Sequence, residues 1–439
     1  MTPRRRAVAE ADSTAPAPRE TMRDPRHEPR GSPTFADAAR FWIKLGLISF
    51  GGPAGQIAIM HRELVERRGW VDDAQFTGAL NFCMLLPGPE AMQLAIYIGW
   101  KLHGMRGGLV AGLAFIGPAI ALLLGLSWVY AAHGQVPAIA GLLSGLKAAV
   151  VALVLQAMLK IGRRAFRGPL HVMLAIGAFA ALQFLHVPFP LIVLGAGVIG
   201  LVTSARTTPS APPLAAAARA GAPLKVLSVG LLLWVVPLLG CGAALGFDSL
   251  WSRLYLFFTQ AALVTFGGAY AVLGYVTQHL VGDLAWLTAE QSVTGLALAE
   301  TTPGPLIIVL QFMGFMAGWN QPAPLAPDLA AVLAALLAAW ATFLPSFVFI
   351  FLGAPYVERI TAEPRVAGAL AAITAAVVGI IATLALLFAR VVLLPNGIAA
   401  APDWGAIGIA VAVWLLLTRT RVDLPWILAA AAGAGFLLH

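Results

Sequence analysis

Two glycine/proline interruptions recur in this chain at one fixed spacing. A shift of 216 residues lays Phe41 on Phe257, Phe50 on Phe266, Gly51-Gly52 on Gly267-Gly268, Trp70 on Trp286, Gln75 on Gln291 and Pro87-Gly88-Pro89 on Pro303-Gly304-Pro305, with no gap. Phe41–Pro89 and Phe257–Pro305 share 13 identities in 49 positions, among them both breaks and a tryptophan, so the chain carries two related halves. Further on, Pro118 falls on Pro345 at a shift of 227; a longer loop around Trp319–Asp328 accounts for the change.

The surroundings of the breaks fix the solvent. Of 439 residues 59% are hydrophobic and 11% charged, too few charges to cover a water-facing surface. The bilayer fits, and only helices and closed barrels satisfy their backbone there. Stretches of spanning character are Leu109–Tyr130, Ala138–Leu159, Leu170–His186, Pro188–Thr203, Val226–Leu245, Leu329–Leu352, Val366–Phe388, Ala406–Leu417 and Leu424–Leu438. The fold class expected is an all-α polytopic membrane protein of two inverted repeats, with broken or re-entrant helices at FGG and PGP. Its domains are a disordered cytoplasmic tail (1–34), a first repeat (35–204), a cytoplasmic linker (205–225), an extra transmembrane helix (226–246) and a second, inverted repeat (247–439). The tail is rich in proline and arginine and has no apolar core, so it is not a cleavable signal, and the first membrane helix serves for insertion.

Inversion is read from the loops, because cytoplasmic loops gather Lys and Arg. His61–Arg68 is basic, while its counterpart Thr277–Leu284 has neither Lys nor Arg. Lys101 and Arg106 likewise face a neutral counterpart, Trp319–Asp328. The pattern then reverses: Ala131–Pro137 and Leu185–Phe189 are neutral, while their counterparts carry Arg359 and Arg365, and Arg419 and Arg421. Arg390 is an exception. Val226–Leu245 has no partner in the first half, and one extra span there turns the second half over. The parity works if each FGG and PGP segment returns to its own side, with the N-terminus cytoplasmic, the C-terminus periplasmic and about nine full spans. Net charge of +8 is then a property of cytoplasmic loops and not of nucleic-acid binding.

A helix that starts within the membrane presents free N–H groups and a partial positive charge. It is an anion site in waiting, and proline fits its first turn. Four such starts would form an electropositive chamber suited to a tetrahedral oxyanion. Kinks that serve only packing are the plainer alternative. Candidate substrate-binding residues are Gly51, Gly52, Gly88, Pro89, Gln93, Gly267, Gly268, Gly304, Pro305 and Lys44. Charges in the membrane are expensive, and three break the symmetry or sit mid-helix: Glu90, Glu300 and Lys147 are candidates for coupling or gating. Glu90 also suits a plain role on the helix dipole, and Lys44 and Lys147 suit snorkelling or pairing with an acid. Gln56, Gln93 and Gln311 offer neutral donors. There is no phosphate-binding GxxxxGK[ST] loop, no GxSxG and no cluster with metal-ligand spacing; Cys83 and Cys241 form no CxxC. No enzyme and no cofactor are expected.

Phe41-x8-Phe50-Gly51-Gly52-Pro53, Arg62-Glu63, Arg67-Arg68-x-Trp70, Leu86-Pro87-Gly88-Pro89 and Gln93 together resemble the chromate ion transporter family. Thr265-Phe266-Gly267-Gly268 and Glu300-Thr301-Thr302-Pro303-Gly304-Pro305 are similar to that family's second domain. The resemblance runs from Phe41 to the C-terminus and implies the long, two-domain form. It implies chromate efflux across a bacterial inner membrane, driven by a potential or ion gradient, with chromate resistance as the outcome. Sulfate is the chemical analogue. The partners implied are chromate, sulfate and the lipid bilayer, with a homodimer left open. Transport of sulfate or another small anion on the same scaffold is the alternative.

Overall fold

The computed structural model describes residues 33–50, 52–204, 222–266, 268–357, 364–397 and 399–438. The tail expected to be disordered therefore lies outside the described residues up to residue 32, as does most of the linker. Every described element is helical. The first half comprises α1 (Phe35–Ile48), α2 (Gly52–His61), α3 (Asp73–Leu85), α4 (Glu90–His133), α5 (Pro137–Ala165), α6 (Pro169–Gln183) and α7 (Phe189–Ser204). An additional helix, α8 (Ala222–Leu245), follows. The second half comprises α9 (Leu250–Leu263), α10 (Ala269–Gln278), α11 (Ala289–Glu300), a 3₁₀ turn at Leu306–Ile308 running into α12 (Val309–Asn320), α13 (Pro327–Gly353), α14 (Pro364–Leu393), α15 (Trp404–Arg419) and α16 (Leu424–Leu438). Among the described residues five helices are long and apolar enough to cross a membrane: α4, α5, α8, α13 and α14. The helices α6, α7, α15 and α16 are apolar but shorter.

The duplication reaches single hydrogen bonds. Asp72 and Thr288, at matching positions, cap α3 and α11 by accepting from the N–H of Gln75 and Gln291. A wide π-helical turn follows α2 (Arg62–Arg67) and α10 (His279–Asp283). In both, the tryptophan N–H after the turn donates to a fully buried leucine carbonyl at 2.8 Å: Trp70 to Leu64 and Trp286 to Leu280. These turns bring the chain back beside the helix that preceded the break. Arg68 lies over the rings of Phe41 and Trp70 at 5.2 and 4.8 Å, and His279 stacks on Phe257 at 5.4 Å.

Helix α4 is two arms. At His103 and Gly104 the backbone leaves helical geometry, with φ of −138° and +63°. The second arm folds back on the first: a Cβ on Gly99 would meet the Gly107 carbonyl, and one on Gly112 would meet Ile96. In the second half the same reversal joins α12 to α13, where Gly314 and Gly318 sit against Ala334 and Ala330. The short loop between Asn320 and Pro327 replaces the tight turn, at the place where the register of the repeat changes.

The terminal hairpins are exchanged between halves. Helices α6 and α7 pack on α14, and α15 and α16 pack on α5. Both contacts rest on missing side chains. A Cβ on Gly200 of α7 would stand 2.5 Å from the Gly368 carbonyl of α14, and one on Gly435 of α16 would stand 2.5 Å from the Gly141 carbonyl of α5. Gly141 and Gly368 correspond at the shift of 227. Small residues give such close backbone approach in membranes, where packing and not water exclusion drives association. Helix α8 stands outside this arrangement, against α9 and α13, and is held by Tyr255 Oη donating to the Trp234 carbonyl at 2.9 Å.

Candidate functional site

Each half contributes two helix starts to one place. In the first half, α1 ends at Ile48 and the Ser49 hydroxyl donates back to the Leu45 carbonyl at 2.5 Å. In the second, α9 ends at Leu263 and the Thr265 hydroxyl donates to Ala261 at 2.6 Å. The chain leaves its helix at this point, and the Ser49 and Thr265 carbonyls reach across to the other half. The Gly88 N–H donates to the Thr265 carbonyl and the Gly304 N–H to the Ser49 carbonyl, each at 2.9 Å. Residues 49 and 265, and 88 and 304, are repeat partners, so the two bonds are related by a pseudo-twofold axis.

Gly88 and Gly304 have φ of 125° and 122°, a region that side chains rarely adopt. They also need the space. A Cβ on Gly88 would lie 2.7 Å from Ser346 of α13, and one on Gly304 would lie 2.6 Å from Ala119 of α4. Positions 119 and 346 are again partners, each just past the proline (Pro118, Pro345) inside its helix. Each PGP loop thus docks on the proline-containing helix of the opposite half.

Around these bonds lies a small cavity of about 10 Å³. Its wall is formed by Pro53 and Gln56 of α2, Gly88–Ala91 at the start of α4, Thr265, Gly268 and Ala269 at the start of α10, and Pro305–Ile307 at the start of the turn into α12. All four helix starts meet there. Pro89, Gly268 and Pro305 occupy the N-cap position, one step earlier than the first-turn place expected for the prolines, and none provides a side-chain cap. The outer ends differ: α1, α3, α9 and α11 are capped by Thr34, Asp72, Ser249 and Thr288. Within the broken helices, a side chain thus caps each of these outer starts, and none caps the inner starts at Pro89, Gly268 and Pro305.

Three buried glutamines bridge this region. Gln56 Nε2 donates to the Gly304 carbonyl at 2.5 Å and to Ser49 at 3.3 Å. Gln93 donates to the Pro87 carbonyl at 2.8 Å and reaches Ser346 Oγ at 3.5 Å, and Gln311 donates to Ile120 at 2.9 Å. The Oε1 atoms of all three are buried without a partner among the described residues.

Of the residues singled out from sequence, Gly88, Pro89, Glu90, Gly268 and Pro305 line the cavity, and Gly304 and Gln93 hold its edge. Gly52, with φ of 71°, opens α2. Gly51 and Gly267 lie outside the described residues. Lys44 is exposed on α1 and is not in the wall. Lys147 pairs with Glu290 of α11 at 2.7 Å, tying α5 to the other half. Glu300 is buried behind the cavity and accepts from Tyr270 Oη at 2.5 Å; their counterparts Met84 and Ala54 cannot form such a pair. Tyr270, Ser346 and the Ser49 and Thr265 carbonyls escape a reading of the sequence. A hydroxyl residue just before FGG in both halves is the one signal that could have marked Ser49 and Thr265. Among the described residues no group of three or more His, Cys, Asp or Glu side chains is placed to hold a metal ion.

A family model described as chromate transporter matches residues 36–201 and 252–436, leaving out α8. The chain is 29% identical over 415 residues to the chromate transport protein of Cupriavidus metallidurans, covering 92% of this chain and 94% of that one. It is 32% identical to the chromate transport protein of Pseudomonas aeruginosa, covering 78% of each. An uncharacterized transporter of Bacillus subtilis, YwrB, matches 35% of this chain over 79% of its own length at 31% identity, which is the scale of one half. No solved structure matches the chain.

Proposed function

The chain belongs to the chromate transporter family, and from that premise we propose that it is a secondary transporter exporting chromate across the inner membrane, with the oxyanion bound where the four helix starts meet. The observation that carries this reading is the meeting of the helix starts at one cavity, with no side-chain cap at Pro89, Gly268 or Pro305. Uncapped N–H groups in an apolar bundle favour an anion, and a helix start is where one is held.

The halves form an inverted repeat, and α1–α2 and α3 with the first arm of α4 are re-entrant hairpins. Their lengths support this. The arms have 10 to 14 residues, about 15–21 Å at 1.5 Å per residue, short of a hydrocarbon core of about 30 Å.

The cavity has room for about one water. Chromate, with four oxygens around its metal, enters only when the starts part. The reciprocal bonds from Gly88 to Thr265 and from Gly304 to Ser49 join the two halves at that point. Rocking of one half on the other breaks them and opens the chamber, as in transporters built from inverted repeats. Released from Thr265 and Ser49, the Gly88 and Gly304 N–H groups become donors for the anion. Glu90 carries its carboxylate at the wall and competes with the anion for the α4 start. It gates the site, while the Tyr270–Glu300 pair sets the first turn of α10.

Everted membrane vesicles containing the protein should accumulate chromate under an imposed gradient, and cells expressing it should resist chromate. Vesicles that move neither chromate nor sulfate under any gradient refute the proposal. The wall presents backbone donors and nothing that separates chromium from sulfur. Sulfate or another small anion is therefore the second reading, and sulfate competition against labelled chromate discriminates the two.

A further inference from the structure

A larger cavity, about 260 Å³, lies away from the helix starts, between the C-terminal ends of α6 and α14 and the end of α10. Leucines and valine make much of its wall, including Leu182, Val281, Leu384 and Leu387. Thr277 is fully buried in that wall, and its Oγ1 has no hydrogen-bond partner among the described residues. Arg390, on the last turn of α14, lines the cavity with His186. No lining residue is acidic, and Arg390 has no ion-pair partner among the described residues.

The path of the helices places this cavity in depth. The last turn of α5 carries Arg163 and Arg164, and α6 begins after Arg167 and runs back. The far end of α6, with His186, is therefore at the membrane face opposite the arginine cluster. By the distribution of basic residues that face is periplasmic. Arg390 is one of the arginines that depart from that rule, and its exposed guanidinium is free to meet an anionic headgroup at that face. Phe184 and Leu185, beside His186, are 70% and 73% exposed, so the rim opens toward hydrocarbon.

The matching place in the first half is charged. Its positions matching Thr277 and Gly282 are His61 and Glu66, which are bonded to each other at 3.2 Å, and His61 is also bonded to Asp73 at 2.7 Å. Charged side chains stand at one face where the other has the apolar-walled cavity.

We propose that this cavity is a binding site for a glycerophospholipid of the periplasmic leaflet. Arg390 holds the phosphodiester, Thr277 donates to an ester oxygen and the leucine wall covers the start of an acyl chain. A free oxyanion fits poorly, since apolar walls strip its water and return one cation. A lipid supplies both halves of the match, and its seat against α10 places it on the helix whose start forms part of the chamber.

The test uses the full chain in detergent, stripped of lipid and titrated with phosphatidylglycerol in mixed micelles. Native mass spectrometry counts bound lipid and thermal unfolding gives the affinity; sodium phosphate and sulfate form the parallel arm. Wild type should retain lipid and be stabilised by it. Arg390→Gln should bind about ten- to a hundredfold more weakly, the loss of one charge-assisted bond. Arg163→Gln, its repeat partner on the other face, should bind like wild type. Leu387→Trp fills the wall without changing charge and should also expel the lipid, which keeps the test valid if Arg390→Gln fails to fold. Lipid bound by either cavity variant within twofold of wild type overturns the proposal. Stabilisation by phosphate or sulfate equal to that by lipid also overturns it.

Discussion

Gly304→Ala tests the packing of one half's loop on the other half's helix. The residue has φ of 122°, where a side chain costs about 1–3 kcal/mol. The new Cβ would stand 2.6 Å from Ala119 Cβ, and no rotamer relieves a contact between two β carbons. Overpacking of this kind costs a further 1–3 kcal/mol or so. The expected loss is about 2–6 kcal/mol. Ala119→Gly removes the obstruction, because the next atoms, Ala119 Cα and the Phe115 carbonyl, are 3.9 Å away. By itself Ala119→Gly weakens its helix by about 0.5–1 kcal/mol. The double variant should recover the packing part and keep the backbone part, so a double-mutant cycle should show coupling of about 1–3 kcal/mol. Gly88→Ala should be milder: its Cβ would meet the mobile ends of Gln93 and Ser346, each at 2.7 Å. The assay is thermal unfolding in detergent, paired with chromate uptake into everted vesicles. A coupling of zero between positions 304 and 119 refutes the docking of the PGP loop on α4.

Three further expectations follow from other contacts. The His61 pKa is raised above 6.5, first by the hydrogen bond to Asp73 and with help from Glu66, against a smaller lowering by burial. A raised folded pKa gives stability that is fully present below about pH 6.5 and is lost as pH climbs through the folded value. The difference in melting temperature between wild type and His61→Gln should therefore shrink on going from acid to alkaline pH, and a constant difference contradicts the pairing. Tyr270→Phe removes the hydrogen bond to buried Glu300 and should cost about 1–3 kcal/mol; an unchanged unfolding temperature rules the contact out. Gly200→Leu and Gly435→Leu should destabilise the protein to a similar degree, since each inserts a side chain against equivalent backbone. If either is tolerated like a lipid-facing leucine, the exchange of terminal hairpins is wrong.

Helix existence was readable along most of the chain. All nine apolar stretches became helices, since a backbone in lipid has few other ways to satisfy itself. The breaks at Gly52, Pro87-Gly88-Pro89, Gly268 and Pro303-Gly304-Pro305 were equally legible, because glycine and proline act on the backbone of their own residue. Lys44 and Lys147 show the limit. Lys44, a candidate for the substrate site, lies exposed on α1; Lys147, a mid-helix candidate for coupling, makes the pairing with an acid that was its alternative, but its partner Glu290 lies 143 positions away, where no sequence pattern could name it.

The sequence by itself determined that the chain is duplicated, that it lives in a membrane and where each half is interrupted, because periodicity, composition and backbone chemistry are local properties. The tertiary structure alone decided that the four interruptions share one cavity. It also decided that Gly88 answers to Thr265 and Gly304 to Ser49, and that the terminal hairpins cross to the opposite half. Those pairings join residues far apart in the chain through bare backbone groups, and a backbone N–H or carbonyl leaves no mark in the identity of the residue that carries it.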